Sequence, residues 1–189
     1  QDKQIVSGID FGANWALGLG AGWKMRNTME VSYLTKYNLI TDGGDVLKYA
    51  GTLSPCNITS CSGAPKWRAS LQNTFEYGDT TATITTYYTG VYDTASVDFG
   101  GVRGDCAGNA AIASSTASYV DGSPVQCGSA PTWNADLTIR HKLNDKVTIY
   151  GDVLNFLDLK APFDHAAAYN LFNFNPAWAG PNILGRYFR

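Results

Sequence analysis

Residues Trp23 to Asn38 carry the constraint that most limits how this chain can fold. Trp23, Met25, Met29, Val31, Tyr33 and Tyr37 alternate with Lys24, Arg26, Thr28, Glu30, Ser32 and Lys36. A period of two over this length is a strand with one apolar and one polar face, because successive Cβ atoms leave a pleated backbone on opposite sides. The pattern recurs. Lys66 to Tyr77 sets Trp67, Ala69, Leu71, Phe75 and Tyr77 against Lys66, Arg68, Ser70, Gln72, Thr74 and Glu76. Thr132 to Leu143 sets Trp133, Ala135, Leu137, Ile139 and Leu143 against Asn134, Asp136, Thr138, Arg140 and Lys142. Strands are also predicted at Gln4 to Ala16, at Thr80 to Tyr92, where threonine and tyrosine leave the faces unassigned, and from Val147.

The connections alternate as well. Leu17 to Gly22, Gly78-Asp79 and Asn144 to Lys146 are short returns rich in turn formers. Leu39 to Pro65, Asp93 to Pro131 and Leu159 to Leu184 are long. Short turns at one end and long loops at the other are the rhythm of an outer-membrane barrel. A β-sandwich alternates apolar and polar residues too, so the pattern alone leaves both open. Trp23 to Tyr33, Trp67 to Tyr77 and Trp133 to Leu143 each place their end residues ten positions apart on the apolar face. At about 3.3 Å per residue and a tilt near 45° this spans roughly 23 Å, close to the apolar band between two aromatic girdles. Trp15 and Trp23 are expected in one girdle, and Tyr33, Tyr37, Trp67 and Trp133 in the other.

Composition agrees. Only 16% of the 189 residues are charged, against about 25% in soluble domains. No apolar run approaches the roughly 20 residues of a membrane helix, and lipid admits only helices and closed barrels. A formal charge of −2 without Lys/Arg runs argues against nucleic acid. Cys56 and Cys61 lie within one presumed loop, Cys106 and Cys127 within another. Of the three possible connectivities, local pairing is expected, since each partner is close in sequence. That implies an oxidising compartment, and CxxxxC with no nearby histidine matches no zinc spacing.

The stretch VTIYGDVLNFLD at Val147 to Asp158, followed by Pro162, resembles the penultimate strand of TonB-dependent outer-membrane receptors, with Phe156 and Leu157 exchanged relative to their usual Asn-Leu-Phe-Asp ending. NFNPAWAG and GRYFR are similar to the last extracellular loop and the start of the closing strand in that family. VSYLTKYNL and APKWRASL also look like receptor strands. The resemblance implies an all-β, antiparallel transmembrane barrel, with residues 1–189 as about the last seven strands of a 22-stranded wall. The chain is expected to be part of a longer polypeptide, the plug domain and earlier strands lying elsewhere. It further implies a bacterial outer-membrane protein with extracellular loops, active uptake of a scarce nutrient such as a ferric siderophore, and an inner-membrane TonB complex as partner. The remainder of the barrel, the plug, the lipid bilayer and a small-molecule ligand are the other partners implied. In a bacterial setting the Asn57-Ile58-Thr59 sequon reads as loop sequence.

Chemical sites are sparse. His141 and His165 are far apart and lack positioned partners, and no nucleophile elbow, Walker loop or HExxH helix occurs. No enzyme and no cofactor are expected. Asp158 and Asp164, either side of Pro162, read as turn formers. Tyr169, Phe172, Phe174 and Trp178, set among asparagines, suit stacking on a sugar ring or a catecholate chelate. The alternative is a loop packed on itself over the barrel mouth. On the polar face, Arg68, Arg140 and Asp152 are expected to hold the plug. A passive porin-like barrel, or a secreted disulfide-bonded β-sandwich adhesin, would use many of the same features.

Overall fold

The structure is a computed structural model, and it describes residues 2–59, 61–104, 128–162 and 183–189. One antiparallel meander dominates: β1 (Lys3–Gly20), β2 (Trp23–Ile40), β4 (Trp67–Tyr77), β5 (Thr80–Thr89), β8 (Thr132–Asn144), β9 (Val147–Leu154) and β10 (Tyr187–Phe188), each beside its predecessor. The short β3 (Val46–Lys48) folds back on the outer end of β2. Every consecutive pair is antiparallel, as expected when two-residue returns join strands. No further strand flanks β1 or β10 among the described residues.

Register turns the sequence alternation into two continuous faces. Phe11, Val31, Ala69, Tyr88 and Trp133 stand side by side across five strands, and Leu17, Met25, Phe75, Ala82 and Ile139 form a parallel row below. The opposite face shows Asp10, Ser32, Arg68, Thr89 and Thr132 just above the first row, and lower down Arg26, Thr74, Thr83, Thr138 and Asp152. The same register settles β5. Thr81, Thr83, Thr85 and Tyr87 belong to the polar face, and Ala82, Ile84 and Tyr88 to the apolar one.

No second layer covers the apolar face among the described residues. Ile9 is 64% exposed, Phe11 57% and Trp133 50%, values that a sandwich core would bring near zero. Aromatic pairs border the face: Trp23 stacks on Tyr77 at 4.8 Å near the short turns, while Tyr33 meets Trp67 at 4.4 Å and Tyr88 meets Trp133 at 4.5 Å nearer the long loops.

Two girdle assignments need correction. Trp15 opposes Asn27, four positions into β2 from Trp23, so it lies inside the apolar band and not beside the Trp23–Tyr77 pair. Tyr37 leaves the face of Tyr33 altogether. The β1–β2 register shifts between Ser7 and Gly8, leaving Thr35 as an extra residue, and Tyr37 then opposes Val6 on the polar side. One inserted residue reverses every side chain beyond it, because the strand repeat is two. Gly8 permits this: a Cβ there would stand 2.9 Å from the Tyr33 carbonyl oxygen.

Strand limits also differ from expectation. β1 and β2 are each 18 residues long and run through the anticipated glycine-rich return to a tight turn at Ala21-Gly22. β5 stops at Thr89, and Tyr92–Asp93 (β6) pairs instead with Gly128–Ser129 (β7) in a separate small sheet.

Candidate functional site: the polar face and its rim

Buried apolar side chains gather at the long-loop end, outside the main sheet. The loop after β2 and the loop after β5 join through a parallel bridge between Thr52 and Asp93. Together they bury Tyr49, Leu53, Cys56, Cys61, Tyr92 and Ala95. Cys56 and Cys61 are disulfide-bonded, closing a loop around the single helical turn α1 (Cys56–Thr59).

Asp98 joins the two loops. It sits in a 3-10 turn, Val97–Phe99. Its carboxylate accepts from the Ser54 hydroxyl at 2.6 Å, the Cys56 amide at 2.6 Å and the Asn57 amide at 2.8 Å. The Ser54 oxygen accepts in turn from the Val97 amide at 2.7 Å. Charge-assisted bonds of this kind are the stronger class, so the rim is a cross-tied knob. Arg103 adds a bond to the Ala50 carbonyl. Tyr49 packs edge-on against Tyr37, which the bulge has turned toward it. Burial, and then the Asp98 charge, push the Tyr49 hydroxyl above its usual pKa. Sequence reasoning missed this knob, because loop-to-loop hydrogen bonding leaves no periodic signal.

Of the residues singled out on the polar strands, Arg140 and Asp152 line one depression of about 560 Å³ on that face, with Gln72, Thr83 and Arg189. Arg68 does not join them. Glu76, in the same cross-strand row as Arg140, stands eight positions along β4 from Arg68, roughly 26 Å away. Arg68 lines two smaller hollows nearer the long loops, one shared with Asp10 and Lys66, the other with Glu30 and Tyr87. Asp152 is largely buried. It accepts from Thr138 at 2.7 Å and from two nitrogens of Arg189 at 3.2 and 3.0 Å.

The Asn155 to Asp158 ending now has a physical account. Asn155 is buried and left-handed, with φ 47°. Its amide donates to Asp136, and its side chain both accepts from and donates to the Leu159 backbone. Asparagine is one of the few residues able to do both at positive φ. Asp158 accepts from the Arg186 amide at 3.1 Å and pairs with Lys160 at 3.0 Å. These partners, Lys160 first, hold its carboxyl below the usual range. Arg186 also donates to the Phe156 carbonyl, at 2.9 Å. The motif therefore ends β9 and fastens the approach to β10.

His141 lies on the apolar face, hydrogen-bonded to Thr80 at 2.9 Å, and no cluster of metal-ligating side chains occurs among the described residues. Cys106, Cys127, Asp164, His165, Tyr169, Phe172, Phe174 and Trp178 lie outside the described residues.

No protein-family model and no curated protein matches the chain. Among solved structures, the crystal structure of a mutant ferric enterobactin receptor from Pseudomonas aeruginosa is similar, with a TM-score of 0.51 and 16% sequence identity. The match covers 98% of this chain and 21% of that one, so the chain spans about a fifth of the receptor's length. What the two share at this identity is a fold, and the structure matched is a receptor's, not an enzyme's. The meander of long antiparallel strands is the fold of the matched part of that receptor.

Proposed function

We propose that the chain is part of the wall of an outer-membrane receptor that actively imports a scarce nutrient, with a ferric siderophore the first choice. The observation supporting this most strongly is the two-sided sheet: an uncovered apolar face bordered by aromatic pairs, opposite a polar face on which the depressions lie. Lipid accounts for the first face and a polar lumen for the second. On this reading the long loops are extracellular, and the rest of the barrel continues from the two sheet edges. The wall surrounds a plug that the inner-membrane TonB complex engages. Arg68, Arg140 and Asp152 face the plug. Tyr169, Phe172, Phe174 and Trp178 supply stacking surface for the ligand. Cys106 and Cys127 form a second disulfide, a pairing supported by Gly104, whose amide donates to the Asp93 carboxylate, and by Gly128, which stands opposite Asp93 in the β6–β7 pair.

The test uses the full-length protein in outer membranes, with single cysteines at Leu71 and Gln72. A lipid-soluble maleimide should label position 71, and a water-soluble one position 72. Equal labelling of both by the water-soluble reagent overturns the membrane assignment. Import is tested by growth under iron limitation with ferric siderophores as the iron source. Loss of growth on deleting the gene supports uptake, whereas unchanged growth on every ferric siderophore tried removes the iron reading.

A further inference from the structure

One cross-strand row breaks the pattern of the apolar face. Trp15 on β1, Asn27 on β2, Asn73 on β4 and Ile84 on β5 stand side by side. Met25 and Met29 flank Asn27 along its strand, and Leu71 and Phe75 flank Asn73 along the next. Two carboxamides therefore sit where every neighbour is apolar. Each is four positions from the Trp23–Tyr77 pair and six from the Tyr33–Trp67 pair. In strands tilted near 45° those separations rise about 9 and 14 Å. On the membrane reading above, on which this inference rests, that depth lies well inside the hydrocarbon, where an unmet polar group is costly.

The pair is only half satisfied within one chain. Asn73 Nδ2 donates to Asn27 Oδ1 at 2.6 Å. Asn27 is 2% exposed, and its own Nδ2 has no acceptor among the described residues. Asn73 is the accessible member. Its Oδ1 accepts from nothing among the described residues, and its second Nδ2 hydrogen is free to donate. Lipid tails supply neither a donor nor an acceptor. A second carboxamide supplies both, because two amides facing each other across a two-fold axis exchange N–H···O bonds reciprocally. Two receptors in one membrane share its normal, so a two-fold along that normal brings Asn73 to Asn73 at equal depth.

We propose that this row is a dimerisation surface within the membrane, occupied by a second copy of the chain, with Asn73 on the two-fold axis. Asn73 Nδ2 of each copy donates to Asn73 Oδ1 of the other, while Asn27 holds the Asn73 amide in place. Leu71 and Phe75 pack around the amide pair and keep water out.

The experiment uses the full-length receptor, in outer membranes and in lipid vesicles. A single cysteine is placed by Asn73→Cys, or by Ile139→Cys two strands away on the same face, and treated with a short membrane-permeant bis-maleimide. The first variant should yield a covalent homodimer and the second none. Energy transfer between labelled receptors in vesicles, diluted with lipid, measures the dimer constant. Asn73→Leu should weaken it about ten-fold, the loss expected for an amide bond between chains in lipid, and Asn73→Gln should recover part of it. The dimer is overturned by equal cross-linking of the two cysteine variants, or by a cross-link from position 73 to a different polypeptide. A leucine variant that associates as tightly as wild type overturns it too. Labelling of Asn73→Cys by a water-soluble maleimide in intact membranes removes the membrane reading first and the dimer with it. A position 73 shielded from that reagent in a receptor that stays monomeric leaves the membrane reading standing and removes the dimer alone.

Discussion

Asp98 shows how much of the rim rests on one carboxylate. Replacing it by alanine removes the acceptor for Ser54, Cys56 and Asn57 together, and should destabilise the knob by about 3 kcal/mol. Hydrogen exchange at the Cys56 and Asn57 amides, compared with strand amides of β4, would measure this. Equal protection in the variant would show that the loops hold without it. Tyr49 predicts the opposite sign. Its buried hydroxyl has no hydrogen-bond partner among the described residues, so Tyr49→Phe should be neutral or stabilise the knob by up to about 1 kcal/mol, read as a rise in the same protection. Asp158 carries a pH dependence. Its folded pKa is depressed below the ordinary 3.8, so its contribution is present above that value and lost as pH falls through the lower one. Protection of the Arg186 amide, corrected for intrinsic exchange, should hold down to about pH 4 and fall in stronger acid. Asp158→Asn should lower it at neutral pH.

At the scale of elements, the strands were legible, but the ends of β1, β2 and β5 were not. Trp67 to Tyr77 and Thr132 to Leu143 were predicted almost to the residue, because a half-buried strand must alternate. β5 was legible as a strand but not by face: threonine suits either environment, and only pairing with β4 and β8 assigned Thr81, Thr83 and Thr85. The bulge at Thr35 was invisible, since Tyr33 and Tyr37 are an even number of residues apart. Deleting Thr35 should remove the bulge yet leave Tyr37, then three residues from Tyr33, on the polar side with its contact to Tyr49 intact. Tyr37→Ala should instead remove that contact and cost the knob about 2 kcal/mol. Protease resistance of the loop after β2 would report the loss. Reducing the Cys56–Cys61 bond should likewise loosen this loop while the strand amides of β4 and β5 stay protected, since no residue of either strand belongs to that cluster.

For the molecule as a whole, length adds a constraint that neither residue nor element shows. The 18 residues of β1 and β2 rise roughly 42 Å at a 45° tilt, well past the ~25 Å apolar band. On the proposed membrane reading, their outer ends therefore stand clear of lipid and carry β3 and the knob above the membrane. An arginine at Leu71, between the aromatic rows, should cost about 2–4 kcal/mol of barrel stability, and at Gln72 on the other face far less. Urea titration of the full-length protein in lipid would separate the two, and equal costs would remove the lipid assignment. By itself the sequence determined the seven strands of the meander, their alternation and the short-turn, long-loop rhythm, but not β3, β6 or β7, because those three features follow from local backbone geometry and the period of side-chain projection. Only the tertiary structure decided which threonines share a wall with Arg140, that Tyr37 turns inward, and that two loops distant in sequence meet at Asp98. Those depend on register and on contacts across many residues, which no local pattern encodes.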